Sequence, residues 1–442
     1  MLPKKKTENQ TSFFFTFEDT LDQKHPLFIL ANKFDWALFD KEFSSLYCEN
    51  NGRPAKPIRL MIGLILLKHL RNISDESIVE QWSENLYYQY FCGFQSFQAG
   101  APCNASELVH FRNRIGEAGI ELIFKESIRI NGQDGDEDDI SVDTTVQEKN
   151  ITFPTDGKLH KKMIKQSLQI AKKEGLPIRQ TYSRVLKRLS VDQRFRNHPK
   201  NKSKARRADK KVKTIAGRLV RELERNLGES SKHNPSINRF KLILKQTRSS
   251  SNKIYSLHEP AVECISKGKE HKKYEFGNKV SLAITLNTGV IVGALGFRKE
   301  YDGHTLQPAL EQVSRLTGKE PKTASVDRGY RGNTQIGNTK IQLPKPFTKK
   351  QSSYEKNRLK KAHKRRAAIE PVIGHLKTDH RLGRNFYKGI VGDNINILLA
   401  ATAFNLKRMM NKWKKSVCFF LEQISNHFFV RFEMFVFQKL AF

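Results

Sequence analysis

Acids are scarce in this chain. Only 45 Asp and Glu stand against 79 Lys and Arg in 442 residues, a formal net charge of +34 at pH 7. Such self-repulsion gives a fold nothing, and its usual reason is a polyanionic partner, most often nucleic acid. Cysteine is sparse too: Cys48, Cys92, Cys103, Cys264 and Cys418 are odd in number, widely spaced and free of any CxxC. That excludes a disulfide framework and a zinc ribbon, and fits a reducing cytoplasm. No uncharged apolar run reaches 18 residues, so no membrane-spanning helix is expected. MLPKKKTENQ has no apolar stretch after its lysines and does not read as a secretory signal. HEP (258–260) is not HExxH, and GKE (268–270) lacks the spacing of a phosphate-binding loop, so neither zinc proteolysis nor ATP use is expected.

What is present is material for two or three cores, with 38% hydrophobic residues and 29 Phe. Residues 1–25 are polar around Phe13, Phe14, Phe15 and Phe17 and are expected to fray at the start. From Pro26 to about Ile130 the pattern is helical. LMIGLILLKHL (60–70), IVEQWSENLYYQYF after the turn NISDES, and SELVHFRNRIGEAGIELIF (106–124) follow in turn. This suits a DNA-reading helix-turn-helix or an ordinary helical bundle. QDGDEDD (133–139) is an acidic loop without the glycine and glutamate positions of a calcium-binding EF-hand. ISVDTTV (140–146) reads as a strand.

Residues 161–213 hold 19 Lys and Arg and three acids, a net of +16, at helical spacing. This reads as a helical insert with a cationic face. Strand texture returns with a hairpin over 280–297, then TASVDRG (323–329) and KIQLP (340–344). A long basic helical region follows from about Ser352 to His380. INILLAATAFNLKRMM (395–410) is an amphipathic helix, and an aromatic-rich tail closes the chain.

Three acids sit where phosphodiester chemistry needs carboxylates to hold divalent metal. Asp143 lies in an apolar strand, where a carboxylate is costly unless paired or metal-bound. Asp327 ends the next strand, in SVDRGYRG, where Gly329 and Gly332 let the backbone turn away. Glu370 is the lone acid between Lys356 and Thr378. Each also has a local structural reading: a hydrogen-bonded strand Asp, a turn Asp bonding its own backbone, and a salt bridge from Glu370 to Arg366. Arg366, Glu370 and Lys377 would share one helical face, but Pro371 must kink the helix or restart it.

SVDTTVQEKNITFPTDGKLHKK, SLHEPAVECISKGKEHKKYEFGNKV, YDGHTLQPAL, KTASVDRGYRG and RRAAIEPVIGHLK together resemble DDE transposases of bacterial insertion sequences, specifically the insertion-sequence-five family and its insertion-sequence-four relatives. The resemblance runs from about residue 30 to 413. It implies an α+β chain in which a ribonuclease-H-like core, a mixed sheet flanked by helices, carries a basic helical insert and follows an all-helical N-terminal domain. The implied boundaries are 1–130 for a DNA-binding domain and 131–414 for the catalytic domain, with the insert at about 157–250. A tail of unknown role spans 415–442. Asp143, Asp327 and Glu370 are then the catalytic metal ligands, for two Mg²⁺ ions that Mn²⁺ can replace. The relatives share Tyr-x2-Arg-x3-Glu-x6-Lys. Arg366, Glu370 and Lys377 match it, and His363 stands at the Tyr position. Arg366, Lys377, His363, Lys364, Arg365, Arg328 and Arg331 are the expected DNA contacts. His304, in YDGH, is either near the site or a loop residue.

The resemblance implies cleavage at terminal inverted repeats of double-stranded DNA, then strand transfer to target DNA by a homodimer. The expected setting is the cytoplasm at the nucleoid, without a membrane role. The alternatives are a ribonuclease-H-like endonuclease without strand transfer and an inactive, transposase-derived DNA-binding protein.

Overall fold

A computed structural model gives the structure of the protein. It describes residues 16–48, 52–228, 231–247, 249–266, 272–332, 334–344 and 351–439. Phe13 to Phe15, the GKE run at 268–270, the side chains of the tail from residue 416 and residues 440–442 lie outside the described residues. Contacts divide the chain into two units, residues 1–147 with 279–442, and residues 148–278.

The first unit begins with α1 (Phe17–Thr20), α2 (Pro26–Lys33), α3 (Trp36–Ser44), α4 (Ile58–Arg71), α5 (Asp75–Glu84), α6 (Leu86–Phe91) and α7 (Ala105–Ile130). The helix α4 is apolar on every side and almost wholly buried. It stops at Asn72, whose left-handed backbone (φ 57°) a short amide side chain tolerates. Ser74 accepts from Ser77 N and starts α5, and Asn104 with Glu107 forms a capping box for α7. Inside α7 the backbone breaks at Gly116 (φ 61°).

Buried charges tie these helices together. Arg112 of α7 grips Asp75 with two bonds of 2.7 and 2.8 Å, and Lys68 of α4 adds a third at 2.9 Å. Lys68 also donates to the Tyr387 hydroxyl at 3.0 Å. Burial, with Arg112 beside it, pulls the Lys68 pKa down to about 8 although Asp75 opposes the shift. Burial would raise the Asp75 carboxyl, but Arg112 and Lys68 outweigh it and hold the pKa below its ordinary value. Such a cluster is weak evidence of net stability, yet removing its one acid strands two buried cations.

Next comes β1 (Asp139–Lys149). The second unit supplies α8 (Asp156–Lys173), α9 (Ser183–Asp192), α10 (Pro199–Leu227), α11 (Asn234–Lys245) and β2 (Glu263–Ser266). It has its own core, in which Leu159, Met163, Val212, Ile215, Leu219 and Phe240 are among the buried residues. Here β2 pairs antiparallel with the opening residues of β3 (Tyr274–Thr285), Glu263 opposite Gly277.

The first unit resumes through the rest of β3, β4 (Ile291–Phe297), α12 (Asp302–Thr317), β5 (Thr323–Ser325), β6 (Gln335–Ile336), β7 (Thr339–Gln342), α13 (Ser353–Ala367), α14 (Ile369–Asp379), β8 (Arg384–Asn385) and α15 (Gly389–Lys439). Its sheet is mixed. The strand β4 pairs with β3, β3 with β1, β1 with β5, β5 with β7 and β7 with β6, while β8 also pairs with β1. β1–β5 and β5–β7 are parallel, whereas β3–β4 and β6–β7 are antiparallel. This gives an α+β architecture in which the N-terminal helices and the sheet share one hydrophobic core.

The acidic loop has a structural task. Glu137 accepts from Asn287 N at 2.9 Å and Thr288 N at 2.8 Å, fixing the β3–β4 turn. Asp134 binds Arg408 at 3.0 Å and Lys412 at 2.9 Å on α15.

Gly389–Lys415 of α15 is long and apolar enough to cross a membrane by length and composition alone, residues 394–406 carrying no charge. The structure buries 72% of its most apolar 18-residue stretch, packing α15 on α7, α4 and β4. Asn405 seals this contact, its amide donating to Ile291 O at 2.8 Å and accepting from Ile291 N at 2.9 Å. A strand edge that would otherwise stand open is thereby covered.

Candidate active site

Asp143 sits within β1 and Asp327 two residues past the end of β5. The parallel register pairs Ser141 with Ser325. Asp143 and Asp327 each lie two residues beyond that pair, Asp143 within β1 and Asp327 past the strand end as the cap of the turn Arg328–Tyr330. Strand ends of this kind are where open α/β sheets place ligands.

Both carboxylates also serve their own backbone. Asp143 Oδ1 accepts from Thr144 N at 2.7 Å, and Asp327 Oδ1 accepts from Gly329 N at 2.8 Å, capping the turn Arg328–Tyr330. The local structural reading of each is therefore present. It leaves the second oxygen of Asp327 outside that bond. A Cβ at Gly329 would stand 2.9 Å from Asp327 Oδ1, so the carboxylate would have to shift from its present place.

Asp302 is the residue that sequence reading missed. It opens α12 in the YDGH motif, accepts from Thr144 Oγ1 at 3.1 Å and pairs with Lys279 of β3 at 2.8 Å. The motif drew attention to His304 instead. His304 is exposed and lies 3.7 Å from Glu300. The available signal was Asp302 at a helix start after an apolar hairpin. Below these acids lies Tyr330, whose buried hydroxyl has no hydrogen bond of good geometry among the described residues. Burial pushes its pKa well up, and the charges of Asp302, Asp143 and Asp327 push in the same direction while the Thr305 side chain opposes them.

At Pro371 the helix restarts. α13 ends at Ala367, Ala368 makes the turn, and α14 begins at Ile369 with Pro371 in its first turn, where its missing N–H costs nothing. Glu370 and Lys377 lie on α14, seven residues apart. His363, Lys364, Arg365 and Arg366 lie near the end of α13. Ser141 Oγ donates to Arg366 O at 3.5 Å, so this junction rests against β1 two residues from Asp143. Glu370 is exposed and makes no ion pair among the described residues, so its salt-bridge reading with Arg366 is not realised there. Arg328 and Arg331 are exposed beside Asp327.

Among the described residues, no three His, Cys, Asp or Glu side chains stand grouped as a ready metal-ligand set. The donor chemistry nevertheless suits a hard divalent cation. Asp143, Asp302 and Asp327 all act on one buried phenol, a concentration of negative charge that such a cation would balance.

Comparison with known proteins places the chain. Residues 15–114 match a family described as a transposase domain (DUF772), and residues 246–406 match the transposase DDE domain. A Rhizobium meliloti protein, described as an uncharacterized protein ORF8 in the nfe locus, is 42% identical over 191 residues, covering 41% of this chain and 92% of that protein. No solved structure matches the chain. The chain belongs to the DDE transposases of insertion sequences. The DDE match begins at residue 246, so it spans Asp327 and Glu370 and leaves Asp143 outside.

Proposed function

We propose that this protein is an active transposase that binds the terminal inverted repeats of its element, cuts the DNA there and joins the freed ends to target DNA. Asp143, Asp327 and Glu370 are the metal-holding carboxylates of a ribonuclease-H-like core, and Asp302 with Lys279 positions the Asp143 strand. The observation that carries the reading is the parallel β1–β5 register, in which Ser141 opposite Ser325 stands two residues before each of Asp143 and Asp327.

When bound, two Mg²⁺ ions, or Mn²⁺ in their place, supply Lewis-acid activation of the attacking oxygen and charge stabilisation on the leaving one. The protein's groups do the rest. Water adds to phosphorus at the element's end, the P–O3′ bond breaks, and the departing 3′-oxygen takes a proton. The freed 3′-hydroxyl then attacks a target phosphodiester, so one P–O bond forms as another breaks. Arg366, Lys377, His363, Lys364, Arg365, Arg328 and Arg331 hold the strand near the cut by its phosphates. Helix α5 carries four acids and no Lys or Arg, which makes it a poor DNA-reading helix. The exposed face of α7 around His110 and Arg114 is the better one. Two ends must be synapsed, so the working form is a homodimer on double-stranded DNA, in the cytoplasm at the nucleoid.

The test is Mg²⁺-dependent cleavage of DNA carrying the flanking repeats, wild type beside Glu370→Ala, with gel shifts at matched salt. Equal binding without cutting supports the reading. Normal cutting by the variant removes Glu370 from the site. A DNA-binding protein that no longer cuts is the second reading, favoured by the ungrouped state of the three acids. Wild type that binds the repeats and leaves them intact would establish it.

A further inference from the structure

The second unit holds a cavity of about 830 Å³ at the start of α8, outside the unit that carries the three acids. Its lining includes His160, Arg196, Lys210, Lys213, Lys253 and Tyr255. Two acids, Asp156 and Asp209, stand against the four Lys and Arg. Asp209 is already engaged by Arg196 at 3.0 and 3.1 Å and by Gln193 at 2.6 Å. Lys210 and Lys213 have no acid partner among the described residues.

Two independent features point to an anion. One is the positive end of the 18-residue helix α8, begun by Thr155, whose hydroxyl accepts from Lys158 N at 3.3 Å. The other is His160, one turn into α8. Its side chain lines the cavity, is only 5% exposed and makes no hydrogen bond with any described residue. A ligand oxygen in the cavity would give the ring a hydrogen-bond partner. Burial pulls the His160 pKa below its ordinary value, with Asp156 opposing and Lys213 adding to the shift. The neutral ring still offers one N–H to an acceptor.

The approach to the cavity is cationic as well. Lys202, Arg206, Lys210 and Lys213 lie four, four and three residues apart on α10, on one helix face, and all are exposed. Successive cations stand roughly 4.5–6 Å apart along the axis, at a rise of about 1.5 Å per residue. The last two line the cavity. We infer that this cavity is a phosphate-binding site, in which His160, Lys213 and the start of α8 hold one phosphate of a DNA strand that runs along the cationic face of α10. The DNA source rests on the transposase reading, whereas the phosphate chemistry does not.

The test uses the full chain and the variants Lys213→Gln, at an exposed position that the fold tolerates, and His160→Gln. Inorganic phosphate is titrated while the His160 imidazole is followed by NMR, and duplex DNA binding is measured against salt. Wild type should show a saturable shift that Lys213→Gln weakens at least severalfold and that added DNA displaces. The slope of log K against log salt should fall by about 0.9 in Lys213→Gln, the value for one lost phosphate contact. A saturable shift that DNA does not displace, with an unchanged slope, overturns DNA as the source and leaves a free-phosphate site. No saturable shift in wild type overturns the site. The titration involves no cleavage, so failure of the metal-ligand reading and failure of this site are read separately.

Discussion

The two units differ in how much charge they carry and where they put it. Residues 148–278 carry 34 Lys and Arg against 12 acids, a net of +22, and the other 311 residues carry +12. The candidate carboxylates all lie in the sheet-containing unit. The basic unit solves its own repulsion with a separate apolar core and an amphipathic α10 whose cations face outward. Both units also bury charge, the sheet unit in the Lys68–Asp75–Arg112 cluster and the basic unit in the pair of Lys149 with Glu259 at 3.6 Å. Exposed cations are stable but screened by salt, whereas buried charges hold geometry and tolerate no missing partner.

Four kinds of substitution test that contrast. The largest effect falls on chemistry. Asp143→Asn and Asp327→Asn should each lower single-turnover cleavage by roughly a thousandfold or more, about 4 kcal/mol of transition-state stabilisation. Equilibrium DNA binding should stay close to wild type. Next is stability. Asp75→Ala leaves Lys68 and Arg112 buried without their acid and should cost about 3–5 kcal/mol, read by denaturant unfolding. Removing Asp192, paired at the surface with Lys204, should cost about 1 kcal/mol or less.

Third is salt dependence. Replacing Lys202, Arg206 and Lys210 together with Gln should reduce the salt slope of DNA binding by about 2–3, with cleavage of the bound complex unchanged. A loss of cleavage at full occupancy would break the contrast. The smallest effect is on pH. The folded-state pKa of Lys68, about 8, lies below the ordinary 10.5, so between those values the unfolded chain holds more protons. This group therefore makes stability rise from pH 8 towards 10.5, and Lys68→Met should flatten that rise.

Much of this was legible in the sequence, for identifiable reasons. The strand at Asp143 and the hairpin over 280–297 show β-branched texture. The helix break at Pro371 is dictated by a missing N–H. The role of Asp302 was not legible, because it depends on Thr144 and Lys279, 158 and 23 residues away along the chain. Nor was the buried Lys68–Asp75–Arg112 cluster, since a lysine in an apolar helix reads equally well as a solvated edge. The 3.6-residue period says that α15 has an apolar face. It cannot say that the face packs on both the N-terminal helices and β4.

The account's central claim is that Asp143, Asp327 and Glu370 act as one metal-binding set. It is tested most directly by counting bound Mn²⁺, by paramagnetic resonance of the free ion, with repeat-end DNA present. Wild type is predicted to hold two ions per chain, and Asp143→Asn, Asp327→Asn and Glu370→Gln each to lose at least one. Unchanged stoichiometry and affinity in any one of these variants would contradict it.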